Sequence, residues 1–319
     1  MRKIWISFLL LLILCAIPLT AYAADTLIPV GQVVGLQLQN GTVTVSELAA
    51  DSPAKVAGVQ SGDCILRIDG KAVACAQDIR SHLSSCGDTV TLDIRRQERL
   101  FQLQVAPQRT AEGARLGLYL RDGVTGIGTI TFYDPDTGVF GTLGHGVNDP
   151  GGSLVAMQSG LAYPARVQSV RKGKAGSPGQ LVGAIRDANA LGELTRNTSQ
   201  GLFGKTNRAL PGQALPVASY QEVRPGEASI LSTVEGASPQ EYSVEILKIY
   251  AKDRRGGRNM LIKVTDPRLL ETTGGIVQGM SGSPIIQDGK LIGAVTHVLV
   301  NDPTTGYGIF IENMLDAAA

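Results

Sequence analysis

The sequence predicts a mainly β protein in two parts, on three observations. Helix-period stretches are scarce, while short β-branched runs alternate with turns built from 39 glycines and 15 prolines. The 319 residues make about two ordinary domains. Ile285-Ile286, then Gln287-Asp288-Gly289-Lys290, then Leu291 to Val295 reads as a β-hairpin, because Asp-Gly tolerates the positive φ of a tight turn between apolar strands. A net charge of +1 without a basic stripe argues against nucleic acid as a partner.

Met1 to Ala23 reads as an export signal. Arg2 and Lys3 are its charged start, Ile4 to Leu19 its apolar segment, and Ala21-Tyr22-Ala23 an A-x-A cleavage site. The alternative is an uncleaved anchor attached to a membrane through residues 4–19, although that segment is shorter than the roughly 20 residues of a span. Three cysteines follow, Cys64, Cys75 and Cys86, so at least one is unpaired within the chain. Their spacing with His82 fits no usual zinc pattern, and the sequence calls for no metal and no cofactor.

Residues 27–107 read as one small domain. Val43 to Val45 alternates as a strand. Asp51 to Gly58 reads as a helix capped by Ser52, with Pro53 at its first position and Gly58 at its end. Cys64 to Ile68 is a strand, Asp69-Gly70 a turn, and Gln77 to Ser84 a second helix. Val90 to Ile94 and Leu100 to Val105 close the domain as a hairpin. Ser52-Pro53-Ala54, Ala57-Gly58, Gly62-Asp63, Ile65-Leu66 and Ile68-Asp69-Gly70 together closely resemble a PDZ domain of the bacterial protease-associated kind. Such domains add an extended peptide as an extra strand. The resemblance implies Val34-Gly35-Leu36-Gln37 as the peptide-binding loop, peptide tails as ligands, and the stretch from Ala24 to Val30 as one candidate tail. The competing reading is a domain that only packs on its neighbour.

Residues 108–319 form the second part, after a polar linker from Arg109 to Gly117, and are expected to hydrolyse short peptides alone. Gly126 to Phe132 alternates as a strand, Asp134 to Gly138 turns, and Val139 to Gly146 returns to a glycine-flanked histidine, His145. Asn148 to Gln240 carries short strands and no legible chemistry. Glu241 to Ala251 and Asn259 to Val264 read as paired strands.

Gly279-Met280-Ser281-Gly282-Ser283-Pro284 enters the predicted hairpin. Glycines there allow steep dihedrals and turn N–H groups outward, which places Ser281 as a nucleophile and the N–H groups of Gly279 and Ser281 as an oxyanion hole. A turn that only redirects the chain competes with this. So does the nucleophile elbow of α/β-hydrolases, but Ser283 stands where its second glycine belongs and a hairpin follows instead of a helix. His145 is the candidate base, since an imidazole titrates near neutrality, with His297 as the alternative. Asp266, in Val264-Thr265-Asp266-Pro267, is the candidate for orienting the imidazole, giving the order His, Asp, Ser. Its competing role is to cap a helix that starts at Pro267. Asp134, Asp136 and Asp149 are weaker rivals. Thr296-His297-Val298, on the strand after the hairpin, reads as substrate-binding.

Thr142 to Gly146, Val264 to Pro267, Gly274 to Ile286 and Gly293 to His297 together resemble the SpoIVB peptidase family, as does the order signal, PDZ domain, peptidase domain. The resemblance implies a chymotrypsin-like double β-barrel and a serine endopeptidase of sporulation. It implies export into the space between the forespore and mother-cell membranes. There the substrate would be the exposed part of a membrane-bound regulatory protein, whose cleavage triggers intramembrane processing of a late sigma-factor precursor. It also implies self-cleavage near the N-terminus. Met280 stands where trypsin-type enzymes carry Asp, so no ion pair with a newly cut N-terminus is expected.

Overall fold

The computed structural model describes residues 26–111, 113–149, 152–251 and 257–319. The export signal expected at residues 1–23 lies outside them. The chain starts with β1 (Thr26–Pro29) and β2 (Val33–Leu48). Then come α1 (Pro53–Val56), β3 (Cys64–Ile68), β4 (Lys71–Ala72), α2 (Ala76–Leu83), β5 (Val90–Arg96) and β6 (Arg99–Val105). The hairpin β7 (Gln108–Thr110) and β8 (Gly113–Arg115) leads into the long β9 (Leu118–Tyr133). Next are β10 (Val139–Thr142), β11 (Ser159–Arg171), β12 (Gln180–Ile185), β13 (Gly192–Thr198), β14 (Gly201–Lys205) and β15 (Leu215–Pro216). The C-terminal part holds β16 (Gly226–Ser232), β17 (Gln240–Ile249), β18 (Met260–Val264), α3 (Pro267–Thr273), β19 (Pro284–Gln287), β20 (Lys290–Leu299), β21 (Asp302–Phe310) and α4 (Ile311–Ala318).

These strands make two barrels. β16, β17, β18, β21, β20 and β19 close one of them. The strands β9, β10, β14, β13, β11 and β2 lie side by side, and β2 returns to pair with β9, closing the other. Period-two burial explains the strands: in β17, Tyr242, Val244 and Ile246 are buried, while Glu241, Ser243 and Glu245 between them are exposed. The expected hairpin is β19–β20. Asp288 and Gly289 take its turn, with φ of 50° and 75°. Met280 is fully buried in the core of the second barrel, so no carboxylate stands at that position.

The small domain has a sheet of β9, β2, β3, β5 and β6 over α1 and α2. Its own core includes Ile65, Ile68, Ile79, Leu83, Leu92 and Ile94. Ser52 caps α1, its hydroxyl accepting from Lys55 N at 3.2 Å, with Pro53 at the first helical position. Strand pairing runs across the expected boundary between residues 107 and 108. The first half of β2 pairs on one side with β9, from Val33–Thr129 to Gln39–Gly123, and on the other with β11, from Pro164–Val34 to Ser159–Gln39. Residues 26–39 are therefore built into the first barrel. The second half of β2 pairs with Leu118 to Arg121 inside the small domain. A fragment of residues 108–319 would lack β1 and β2 and could not close the first barrel, which corrects the expectation that it acts alone.

That pairing also corrects the peptide loop. Val34-Gly35-Leu36-Gln37 is mid-strand with neighbours on both edges, and Val34 and Leu36 are buried, so no peptide can add there. The candidate tail around residues 24–30 fares no better. β1 pairs with β9 and β15, and Leu27 is fully buried between the barrels. Among the described residues no helix is long and apolar enough to cross a membrane.

Candidate active site

The turn at Ser281 is built by glycines and held from the other barrel. Gly279 and Gly282 have φ of 99° and 97°, in the region that favours glycine. A Cβ on Gly282 would stand 2.1 Å from the Thr129 carbonyl oxygen, so only glycine lets the turn come this close to β9. Met280 N–H donates to Val277 O (3.1 Å), Gly282 N–H to Val295 O (2.8 Å) and Ser283 N–H to Met280 O (2.9 Å). The N–H groups of Gly279 and Ser281 donate to no acceptor among the described residues. Two threonines of β9 fix the turn's carbonyls. Thr129 N–H donates to Ser281 O at 3.0 Å. Its hydroxyl donates to Gly279 O at 2.9 Å, and that of Thr131 to Gly282 O at 2.7 Å.

His145 is held by the same residue. The Thr142 hydroxyl donates to the Thr129 carbonyl at 2.7 Å. After Thr142, Leu143 and Gly144 both take positive φ, 71° and 68°. A buried leucine in that region is strained, and such strain persists only where the surroundings over-determine it. The His145 Nδ1 atom lies 2.9 Å from the Gly146 carbonyl oxygen, which can only accept, so Nδ1 carries the hydrogen and Nε2 is left as an acceptor. Burial pushes the His145 pKa below the ordinary imidazole value, and the hydrogen bond to Gly146 opposes this only in part.

Ser281 and His145 line one cleft of about 550 Å³ with Gly279, Thr296, His297 and Val298. The Ser281 hydroxyl donates to Thr296 O at 2.7 Å. The His145 and His297 rings lie 5.0 Å apart between centroids. Partial desolvation against the cleft wall, then the neighbouring His145 and Arg258, lower the His297 pKa to about 4.

Asp266 is elsewhere. It caps α3, where Oδ1 accepts from Arg268 N at 2.9 Å and Oδ2 from Ser243 N at 3.3 Å and Arg268 Nη2 at 2.7 Å. The Arg268 guanidinium, with these N–H groups, holds its carboxyl at about 2. Among the described residues His145 meets no carboxylate by hydrogen bond or ion pair. Asp134 accepts from Asp136 N–H and the Thr137 hydroxyl, and Asp149 from Ser153 N–H, each within its own turn. The structure thus puts Ser281 and His145 in one cleft, while the hydrogen bonds of Asp266 are those of a helix cap. Asp266→Ala is expected to cost about 0.5–2 kcal/mol of stability and leave kcat near that of the parent. A kcat loss on the order of 10⁴ would instead return Asp266 to the imidazole. The carboxyl titrates at about 2 in the fold against 3.8 when free, so its contribution is complete above about pH 4 and is lost as pH falls towards 2. Acid melts of the parent and of Asp266→Ala should converge in that window.

The small domain has a second groove, also about 550 Å³, that the sequence reading missed. It runs between α2, through Ala76, Ile79, Arg80 and Leu83, and Leu116 to Leu120. Over Leu118 to Arg121, β9 pairs only with β2, so its other edge has no strand partner among the described residues. At Gly117 φ is 70° and a Cβ would stand 2.7 Å from Ser52 Cα, so the bend before this edge requires glycine. The available signal was Leu116-Gly117-Leu118, a glycine between leucines that enters an alternating strand, hidden in the stretch read as a linker.

A model of the SpoIVB peptidase S55 family matches residues 112–315, well over half of the chain. The chain belongs to that family. This S55 peptidase is therefore a serine peptidase, and a PDZ-domain model matches residues 33–106. It is 40% identical over 86 residues to a putative zinc metalloprotease of Rhizobium meliloti, covering 27% of this chain and 23% of that protein. A putative zinc metalloprotease of Mesorhizobium japonicum is 33% identical over 84 residues, again covering 23% of its length. The S55 peptidase thus spans about a quarter of the curated relatives it matches. Among solved structures, the PDZ domain of an SdrC-like protein from Listeria monocytogenes is 27% identical. It covers 26% of this chain and 90% of that one, with a TM-score of 0.24. The Rv3671c protease of M. tuberculosis in its active form is 15% identical. It covers 61% and 75% of the two chains, with a TM-score of 0.38.

Proposed function

We propose that Ser281 is the nucleophile of this peptidase, His145 its general base, and the N–H groups of Gly279 and Ser281 its oxyanion hole. The observation that carries the reading is that, among the described residues, these two N–H groups have no acceptor in a turn whose neighbouring N–H groups are taken, beside the serine and in one cleft with the histidine. At rest the Ser281 hydroxyl is parked on the Thr296 carbonyl. A substrate N–H that takes this carbonyl releases the hydroxyl, which turns to the His145 Nε2 lone pair. The proton passes to His145, Ser281 Oγ attacks the substrate carbonyl, and the oxyanion forms against the two N–H groups. The imidazolium is then steadied by the Gly146 carbonyl rather than by a carboxylate. His145 returns the proton to the leaving amine. Water repeats the cycle on the acyl-enzyme. Thr296, His297 and Val298 bind the substrate strand.

An alkyl fluorophosphonate should label the parent at Ser281 and leave Ser281→Ala unlabelled; equal labelling of both would refute the assignment. Attack requires neutral His145, and burial disfavours its protonated form. The acid limb of kcat/KM should therefore have its midpoint below the ordinary imidazole value of 6.5. A midpoint above that value would sink the assignment of His145.

The biological reading rests on family membership. We propose a sporulation endopeptidase, exported to the forespore membrane and the intermembrane space. It cuts the exposed part of a membrane-bound regulator, triggers intramembrane processing of a late sigma-factor precursor, and cleaves itself near its N-terminus. In sporulating cells, Ser281→Ala in place of the parent should block that processing; normal processing would overturn the role. The groove between α2 and β9 is the candidate place for a peptide tail, because its open strand edge can accept one more strand.

A further inference from the structure

We infer that the cleft selects an uncharged aliphatic residue, of valine or leucine size, on the acyl side of the bond that is cut. The inference rests on the Ser281 assignment above and concerns the wall beside it. The Thr296 carbonyl faces Ser281. Strand alternation puts the N–H and C=O of Val298 on the same edge of β20. β19 ends its pairing with β20 at Pro284–Ala294, so an extended substrate can add beyond that point. With the reacting carbonyl against the N–H groups of Gly279 and Ser281, the acyl residue's side chain lies between the stretches 276–278 and 298–300. The apolar cleft residues on those stretches are Ile276, Val277, Val298 and Val300, and Pro178 lines the same cleft.

Ile276 forms the floor. It is 2% exposed, and its Cδ1 lies 2.6 Å from where a Cβ on Gly306 would stand. The isoleucine occupies the space that this glycine leaves, so the pocket is shallow as well as apolar. Among the described residues lining the cleft there is no Asp, Glu, Lys or Arg. A charged side chain would exchange water for an apolar floor without a counter-ion, which is costly. A large aromatic ring would meet the Ile276 side chain.

The test uses the full chain and peptide diphenyl phosphonates that differ only in the residue carrying the phosphorus. Labelling by the valine and leucine analogues should exceed that by the lysine and aspartate analogues by at least about tenfold. Equal or faster labelling by either charged analogue would overturn the inference. Val300 is half exposed, so Val300→Asp should fold, and it should narrow the gap between the lysine and valine analogues. An unchanged ratio would show that this wall does not face the acyl residue, and would also overturn the inference. An alkyl fluorophosphonate run in parallel separates the two levels. If it labels Ser281 while the phosphonates show no aliphatic preference, the specificity inference alone fails. If it does not label the folded chain, the Ser281 assignment fails and takes the inference with it.

Discussion

Ser281→Ala lowers kcat by about 10⁴–10⁶ and leaves the melting curve unchanged, because what remains is only oxyanion stabilisation and substrate binding. The hydroxyl contributes little to the fold: Ser281 is half-buried, and its side-chain hydrogen bond is the one to Thr296 O. His145→Ala produces a loss of the same size, and the double variant is little worse than either single one, since nucleophile and base act as a unit. Single-turnover kinetics on one peptide substrate, with the fold followed by circular dichroism, read all three. A Ser281→Ala enzyme that cuts at the parent rate refutes the mechanism. Activity that survives His145→Ala and vanishes in His297→Ala moves the base to the second ring, 5.0 Å away.

Leu27→Ala destabilises the protein by about 2–5 kcal/mol, the cost of the lost burial and of the cavity left behind. Leu27 is fully buried among Phe132, Phe203, Leu291, Ile309 and Met314, side chains drawn from both barrels and from α4. β1 is thus a strap between the halves of the molecule. If the proposed self-cleavage leaves an active product, the cut must fall before Thr26, where β1 begins. Denaturant unfolding of the variant and N-terminal sequencing of the processed protein check the two statements. An active product starting after Val30, or a loss under about 1 kcal/mol, would show that the strap is dispensable.

Much of the architecture was legible because local rules and tertiary structure agree. Ser52 and Pro53 start α1, Asp288-Gly289 turns the hairpin, and apolar alternation marks β17 and β18. The cleft shared by Ser281, Gly279 and His145 was legible as a candidate site because their glycine neighbours have few uses other than steep backbone turns. Asp266 was ambiguous for a physical reason: an aspartate before proline at a strand end suits a helix cap as well as an imidazole partner, and only the fold shows Arg268 and Ser243 N–H beside it. Val34 to Gln37 misled because a glycine in an apolar run also fits a strand that a neighbour approaches closely. Thr129 and Thr131 carried no signal. Buried threonines in an alternating strand look like ordinary β residues until the partner barrel arrives.

Gln39 and Gly123 face each other across β2 and β9. Everything between them leaves the first barrel and returns to it through one pair of neighbouring strands. The PDZ domain is thus a cassette spliced into a hairpin, contiguous in space though the barrel on which it sits is split in sequence. Exchanging the cassette between relatives needs two seams, both at this hairpin, and a short turn could replace residues 40–122 without opening either barrel. A crossover near residue 107 would carry off β1 and β2 and leave the barrel with a missing stave. Lineages that vary the PDZ domain while keeping the peptidase body should therefore place their breakpoints at these seams rather than at the polar stretch that looks like a linker.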